Sequence, residues 1–316
     1  MPMIERRLDF GASHWRDFSG VTKEELEKLA AEYGLARDMV ADCLDPTHLP
    51  KISRTPKVTF LMLRAYDEES AEDATTVQEL TRKLALFMGE NFLLTFHRLP
   101  LSWVEGVIEH WERSPRREAA VLSPVIEDIV EECLYTYEGP IDRAGLAVDK
   151  LEDNIFHNGQ APIAAAEIVE DAYLAKKRAT LFKRLLRLTR DVIPAISKIG
   201  DPTSSAIQNL KEEADRLYFY SDDLVETSND LVQLSISLAS NRTNEVVRVL
   251  TLVSIFLLPL NLLTGIYGMN FVHMPELQWK YGYLFVIAAM FLVEVGVFYV
   301  LKRKGWIRSN RYKGNL

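Results

Sequence analysis

Neutral oxygen donors recur along one face of an otherwise apolar stretch near the end of the chain. Asn244, Thr251, Ser254 and Asn261, continued by Gly265, follow steps of seven, three, seven and four residues, and Val247 and Leu258 fall on the same stripe. At 3.6 residues per turn these steps keep to one side of a helix. Two chemistries suit such a stripe: hydrogen-bonded packing against a neighbouring helix, or the wall of a water-filled path for a hydrated cation. The path is the favoured expectation. An amide such as that of Asn261 is costly against lipid, and the stripe runs toward a short loop that opens Gly268-Met269-Asn270.

The elements that must hold these groups follow from hydropathy. Val249–Tyr267 carries no charge, and Tyr283–Leu301 carries one, Glu294. Each run of nineteen residues would rise roughly 28 Å as a helix, about the hydrocarbon thickness of a bilayer. The loop 268–282 joins them into a hairpin. Pro259 should loosen the first helix. Glu294 should be neutralised, or paired with Thr251 or Ser254, since a charged carboxylate there costs about 2.5–3.5 kcal/mol on insertion scales. Lys302, Arg303, Lys304, Arg308, Arg311 and Lys313 crowd the tail without an acid among them, and Arg242 and Arg248 flank the entry to the first span. The positive-inside rule then places both termini in the cytoplasm and the loop outside.

The fold expected is an α+β cytoplasmic domain, a long stalk helix and a two-helix C-terminal transmembrane hairpin, mostly helical overall. Residues 1–120 form the α/β part. Ile4–Phe10 reads as a strand, and Thr22-x-x-Glu25 as a capping box for a helix over 22–33 that stops at Gly34. A second helix covers 36–45. Lys57–Asp67, Thr76–Phe87 and Asn91–His97 read as an antiparallel set of strands, and Ser102–Arg113 as a helix. Residues 121–200 form a helical hairpin in which acidic Leu122–Tyr137 precedes a basic helix entered at Pro162. Gly139-Pro140 interrupts it. The two form a matched antiparallel pair or are solvated independently.

The stalk covers 201–248, opened by Gly200-Asp201-Pro202 as linker, N-cap and first helical residue. Leu210, Leu217, Leu224, Leu231 and Leu238 recur every seven residues, with Ile207, Ala214, Ser221, Ser228 and Ser235 three before each. This is an a/d seam with leucine at d and small residues at a. It faces either another subunit or its own chain. The membrane helices are 249–267 and 283–301, joined by the outer loop 268–282 and followed by the basic cytoplasmic tail 302–316.

Composition excludes several classes. The chain has a net charge of −8, so a nucleic-acid partner fits poorly with the basic tail's place beside a membrane span. The N-terminus lacks the apolar core of a secretory signal. Cys43 and Cys133 are far apart and read as buried free thiols, and His97 and His110 as structural or surface residues. No Walker motif, Gly-rich phosphate loop, HExxH pair or nucleophile elbow occurs, so neither an enzyme nor a nucleotide-driven pump is expected.

Tyr267-Gly268-Met269-Asn270, followed by Met274-Pro275-Glu276-Leu277 and Trp279-x-Tyr281-Gly282-Tyr283, closely resembles the signature of the CorA family of magnesium and cobalt transporters. The two-span topology, the basic tail and Asn244-Glu245-Val246 before the first span resemble it as well. The resemblance covers residues 241–304. It implies a homopentamer in the lipid bilayer of the cell's inner membrane, with no nucleotide and no nucleic acid as partner. Mg²⁺, with Co²⁺ and Ni²⁺ as further ions, would enter through a pore lined by the first spans, driven by the membrane potential. Asn270 would form a ring at the outer mouth and Asn261 a second polar ring, while Val247, Leu250 and Leu258 would form apolar constrictions. Neutral amides suit Mg²⁺, which gives up its waters reluctantly, and they hold a cation without trapping it. Glu276 in the outer loop would raise the local cation concentration.

The resemblance also implies a regulatory Mg²⁺ on the cytoplasmic side. The stretch Met39–Leu44 carries the sensing carboxylate over to Asp42, but its stalk partner aligns at Asn209, so Glu212 or Glu213 would substitute; Glu131 and Glu132 are candidates for a second site. Leu284 stands where the family usually has proline, and Asn261 where threonine is more frequent. The zinc-transporting branch of the superfamily, the alternative within the same class, usually has isoleucine where Met269 stands. A membrane-anchored metal sensor without conduction is the other alternative.

Overall fold

A computed structural model describes residues 3–71, 73–114, 122–158, 162–196, 205–270, 274–275 and 279–306. They divide into two units, Met1–Ser235 and Ile236–Leu316. The strands of the first unit are β1 (Ile4–Phe10), β2 (Ser13–Ser19), β3 (Lys51–Arg54), β4 (Thr59–Tyr66), β5 (Thr81–Met88) and β6 (Phe92–His97). They form one sheet in the order β1-β2-β6-β5-β4-β3. Neighbours are antiparallel except β2 and β6, which run parallel with Asp17 opposite Thr95 and Ser19 opposite His97.

Period-two alternation sorts the central strands onto two buried faces. Leu61, Leu63, Leu84, Leu86 and Leu93 belong to one cluster, and Phe60, Met62, Phe87, Leu94 and Phe96 to the other. A strand covered on both sides has no solvent face, which is why β4 reads as a nearly unbroken apolar run. Helices α1 (Lys23–Tyr33) and α2 (Arg37–Leu44) cover the second face with Leu26, Leu29, Met39 and Val40. The capping box forms as read: the Thr22 hydroxyl accepts from the Glu25 amide, Glu25 accepts from the Thr22 amide at 2.8 Å, and Gly34 ends the helix at φ +65°.

After the short α3 (Val77–Leu80), the other face is covered by α4 (Ser102–Arg113), α5 (Leu122–Tyr135), α6 (Glu138–Asn158) and α7 (Pro162–Ile196). Helix α8 runs unbroken from Ser205 to Tyr267. Its seam residues Leu210, Ala214, Leu217, Ser221, Leu224, Ser228, Leu231 and Ser235 are all buried, and the leucines join the cluster that holds Phe182 and Leu185 of α7. The seam therefore faces its own chain.

Several expectations are corrected. Strands β2 and β3 escape a hydropathy reading because β2 is half polar and β3 is a short, charged edge. Arg16 of β2 is held by Glu5 of β1 at 2.7 Å. The run from Thr76 opens with a helical turn, capped by Thr76 and Glu79, before strand β5 begins. Gly139-Pro140 falls in the first turn of α6, where a missing N–H costs no hydrogen bond. Of the basic residues of α7, Lys183 contacts Asp222 and Arg190 lies 3.3 Å from Asp215, both on α8, whereas Lys177 and Arg178 donate to Thr75 and to the Ala74 and Ala71 carbonyls. The expected linker Gly200-Asp201-Pro202 lies outside the described residues.

One buried polar network ties β2 to β6. The Trp15 indole donates to Thr95 Oγ1 at 3.0 Å, and the Thr95 hydroxyl donates to Asp17. His97 places Nε2 3.1 Å from Asp17 Oδ2 and Nδ1 2.6 Å from the Leu99 carbonyl. Both ring nitrogens face oxygens, a geometry that favours the imidazolium, in which both donate. Burial pulls its pKa down, but the hydrogen bond and charge of Asp17 more than offset this, and the net shift is upward. A raised folded pKa contributes stability that is complete below the unfolded value and is lost as pH rises through the folded value. Thermal unfolding of the purified protein should therefore show Tm falling as pH is raised above 6.5, the group's ordinary value. His97→Gln should flatten that dependence; an identical slope in the variant would contradict the assignment.

Candidate functional site

The second unit contains the end of α8 and helix α9 (Gly282–Arg303). Both helices are long and apolar enough to cross a membrane. The half-buried residues of α8, including Leu252, Ile255, Pro259, Leu260, Leu263 and Tyr267, recur at three- and four-residue steps. Those of α9, Val286, Ala289, Met290 and Val297, with buried Gly282 and Leu301, do the same. The Arg248 guanidinium donates to the Trp306 carbonyl at 2.5 Å, bringing the end of the hairpin back to the start of the first span. The two stripes are where the hairpin helices cover one another.

The polar stripe lies elsewhere. Asn244, Val247, Leu250, Ser254, Leu258, Asn261 and Gly265 are all exposed, Leu258 at 69% and Val247 at 54%, whereas Thr251 at the edge is half-buried. At ~100° per residue the centre of this stripe is roughly 160° from the centre of the seam toward α9. The described residues leave that face uncovered. Thr251 and Ser254 donate to the carbonyls of Val247 and Leu250 at 2.7 and 2.9 Å, which uses their protons and leaves oxygen lone pairs as acceptors. The helix then stops: the Gly268 amide reaches the Thr264 carbonyl at 2.9 Å, a Cβ at Gly268 would lie 3.1 Å from that same oxygen, and Asn270 is exposed just beyond the last turn. Asn270 is therefore placed by the chain's exit from the helix and not by the helical period. Trp279, Tyr281 and Phe285 cluster by ring contacts at the start of α9, an aromatic group of the kind that favours a membrane interface. Glu276 lies outside the described residues.

Glu294 is not paired as the sequence suggested. Both hydroxyls proposed for it donate within α8, and Glu294 Oε1 is buried with no hydrogen-bond partner among the described residues.

Of the carboxylates expected to sense a cation, Asp42, Glu212 and Glu213 already hold partners. Asp42 Oδ1 is 2.6 Å from His48 Nε2, and Oδ2 contacts the Lys51 ammonium. Burial raises its pKa, but Lys51 and His48 outweigh that and hold it below the usual carboxylate range. Glu212 accepts from Gln208 at 2.7 Å. Glu213 is clasped by Arg216 at 2.6 Å, and Arg216 also reaches Glu138. Glu131 and Glu132 line a cleft of about 250 Å³ with His110 and Asp128, where burial, followed by the neighbouring acids, pushes the Glu132 carboxyl up. Among the described residues no three His, Cys, Asp or Glu side chains converge to hold a metal within one chain.

A three-layer α/β domain, a continuous helix of 63 residues and a hairpin of bilayer-spanning length define a two-span membrane protein with a large N-terminal soluble domain. A family model described as CorA-like Mg²⁺ transporter protein matches residues 11–303, and the chain belongs to that family. It is 27% identical over 315 residues to YfjQ of Bacillus subtilis, covering 93% of this chain and 90% of that protein. It is 26% identical over 318 residues to the cobalt/magnesium transport protein CorA of Thermotoga maritima, covering 95% and 85%. The complete structure of the CorA magnesium transporter from Methanocaldococcus jannaschii superposes with a TM-score of 0.74 at 22% identity, over 94% of this chain and 92% of that one. The shared fold includes the long helix and the C-terminal pair.

An unpartnered buried oxygen costs about 1–3 kcal/mol. Glu294→Leu should therefore raise the apparent Tm of the full-length protein in detergent by several degrees. A lowered Tm would mean that the carboxyl finds a partner in the assembled protein.

Proposed function

We propose that this chain is a channel-like divalent-cation transporter that passes Mg²⁺, with Co²⁺ as a second substrate and Ni²⁺ as a third, through a pore lined by the exposed face of α8 in a homopentamer. The observation that carries the reading is the stripe from Asn244 to Gly265, which faces away from α9 and leads to Asn270. Left against lipid, its amides would be unsatisfied. Placed around a common axis, copies of it would wall a wet path, with Asn270 at the outer mouth, Asn261 as a second polar ring and Leu258, Leu250 and Val247 as dry constrictions on the cytoplasmic side of Asn261. Gly268 and Met269 would set the turn that presents Asn270, and Glu276 would draw cations toward it. Relatives that are cobalt/magnesium transport proteins support the choice of ions.

The basic residues Arg248, Lys302, Arg303 and Lys304 support cytoplasmic termini in an inner membrane. The driving force is the membrane potential, worth ~2.3 kcal/mol per charge per 100 mV and thus about twice that for a divalent ion. Flux of a divalent panel into proteoliposomes tests the pore. Mg²⁺ flux should fall at least about tenfold in Asn270→Ala, a loss equivalent to ~1.4 kcal/mol. Equal flux in both proteins would defeat the pore assignment, and no flux in either would favour an anchored sensor.

Regulation by cytosolic Mg²⁺ is assigned to Asp42 with Glu212 or Glu213 of a neighbouring copy, and Glu131 and Glu132 as a second site. Asp42 fits such a role only where the cation displaces Lys51 and His48 from it. Asp42→Ala should weaken inhibition of flux by Mg²⁺ on the cytoplasmic side; unchanged inhibition would remove Asp42 from the sensor.

A further inference from the structure

The soluble domain holds a cavity of about 380 Å³ whose chemistry the transport reading does not use. Arg64, Arg82, Lys83, His97 and Arg98 line it, and no carboxylate is among the described residues that do so. His97 and Arg82 are neutralised by Asp17 and Asp67, the latter at 2.5 Å. Arg64, Lys83 and Arg98 form no ion pair among the described residues, although the Asp45 carboxylate acts on Arg64 and Lys83, and that of Asp42 on Lys83, from beyond hydrogen-bond reach. Arg64 is 1% exposed, and its guanidinium donates to the His48 carbonyl at 2.7 Å, to Thr81 Oγ1 at 3.2 Å and to the Pro46 carbonyl, all uncharged oxygens. Lys83 donates to the carbonyls of Cys43 and, at 2.7 Å, Asp45. Arg98 is exposed and has no side-chain partner among the described residues.

These bonds satisfy donors without supplying countercharge. The carbonyls around Lys83 belong to the C-terminal end of α2, and a helix end offers about half an elementary charge. The carboxylate of Asp45 is turned to Thr47, accepting from its amide at 2.8 Å and its hydroxyl at 2.7 Å. Burial lowers the pKa of both Arg64 and Lys83, as it does for cations kept dry without full compensation. Donors also remain: a guanidinium has five N–H groups and an ammonium three, of which Arg64 uses three and Lys83 two in the bonds above.

Apart from Gln78 and Thr81 the remaining wall is largely apolar, with Val21, Leu26, Leu44, Phe96 and Leu99. The volume lies in the ~300–1,000 Å³ range of small-molecule sites, which combine an apolar lining with a few fixed polar groups. A single carboxylate would leave two of the three cations uncompensated, whereas a di- or triphosphate matches them, and charge-assisted bonds to phosphate suit guanidinium and ammonium alike.

We propose that this cavity is a binding site for an organic phosphate of nucleotide type, its phosphates held among Arg98, Lys83 and Arg64 and its body against the apolar wall. The site uses side-chain cations from β4, from β5 and from the segment just after β6 in place of a glycine-rich loop, so a search for phosphate-loop motifs passes over it.

Calorimetric titration of the full-length protein in detergent with EDTA tests this, using ADP, ATP, adenosine and pyrophosphate as probes. ADP and ATP should bind saturably at submillimolar concentration, adenosine should not, and pyrophosphate should bind at least about tenfold more weakly than ADP. Arg98→Glu, at an exposed residue with no partner to lose, should weaken ADP at least about tenfold, and Leu44→Asp, which sets a carboxylate on the apolar wall, should do the same. Absence of saturable ADP and ATP binding at millimolar concentration, or undiminished affinity in either variant, overturns the proposal. Pyrophosphate binding as tightly as ADP overturns the role of the wall. Binding is read without flux, so the result is independent of the transport reading.

Discussion

A hydrocarbon layer offers no water to a side-chain amide, so each polar group carried into it must be met by protein or by a path that admits water. That constraint governs the second half of α8. Hydroxyls meet part of it alone, as Thr251 and Ser254 do by donating to carbonyls one turn back. Asn261 has two donors and an acceptor on its amide, with no side-chain partner among the described residues. The apolar surface that α9 covers lies on the opposite side. The same residues that make a lone copy unfavourable in lipid would therefore favour its assembly around them, and stability and permeation would share one cause.

Farther up, the same helix meets a different requirement. Between Leu210 and Ser235 its seam is buried in the soluble unit's core, and the small residues at alternate seam positions let neighbours come close. A Cβ on Gly145 of α6 would sit 3.9 Å from Leu224. Ser221 and Ser235 satisfy their hydroxyls on carbonyls four residues earlier, while Ser228 Oγ is buried without a partner among the described residues. The heptad continues to Leu238, but burial does not follow it, since that residue is 37% exposed. Periodicity marks a face; what covers the face is a separate matter.

Charge in the soluble domain is handled in three ways. Asp17 and His97 form a closed pair inside a hydrogen-bonded network. Asp42 is capped by Lys51 and His48 near the surface, so any cation there competes with two cationic or cationisable groups. Arg64 and Lys83 are satisfied only by neutral oxygens. The first arrangement serves folding, the second raises the threshold for metal at Asp42, and the third leaves Arg64 and Lys83 only partly compensated, by Asp45 and Asp42 beyond hydrogen-bond reach, so that an anion is the matching ligand. A chain of net charge −8 thus encloses a locally cationic cavity, which its average charge conceals.

Much of the fold could be read from local pattern. The spans, the capping box at Thr22, the turn at Gly34, the seam of α8 and the entry of α7 at Pro162 all depend on periodicity or on backbone rules that act within a few residues. The Gly-Met-Asn loop was likewise legible as a motif, and family membership follows it. Strand β2 was not, because Arg16 is tolerated there through Glu5, Glu32 and Tyr33 and Asp17 through Thr95 and His97, partners from other elements. The pairing of α7 with α8, the coverage of the leucine seam by its own chain and the capping of Asp42 by Lys51 are contacts between distant residues. So is the gathering of Arg64, Lys83 and Arg98 around one cavity, each ordinary in its own strand or loop. Local pattern settles which face of an element is apolar, but the long-range packing alone chooses its partner, because many partners satisfy the same pattern and only one arrangement satisfies them all at once.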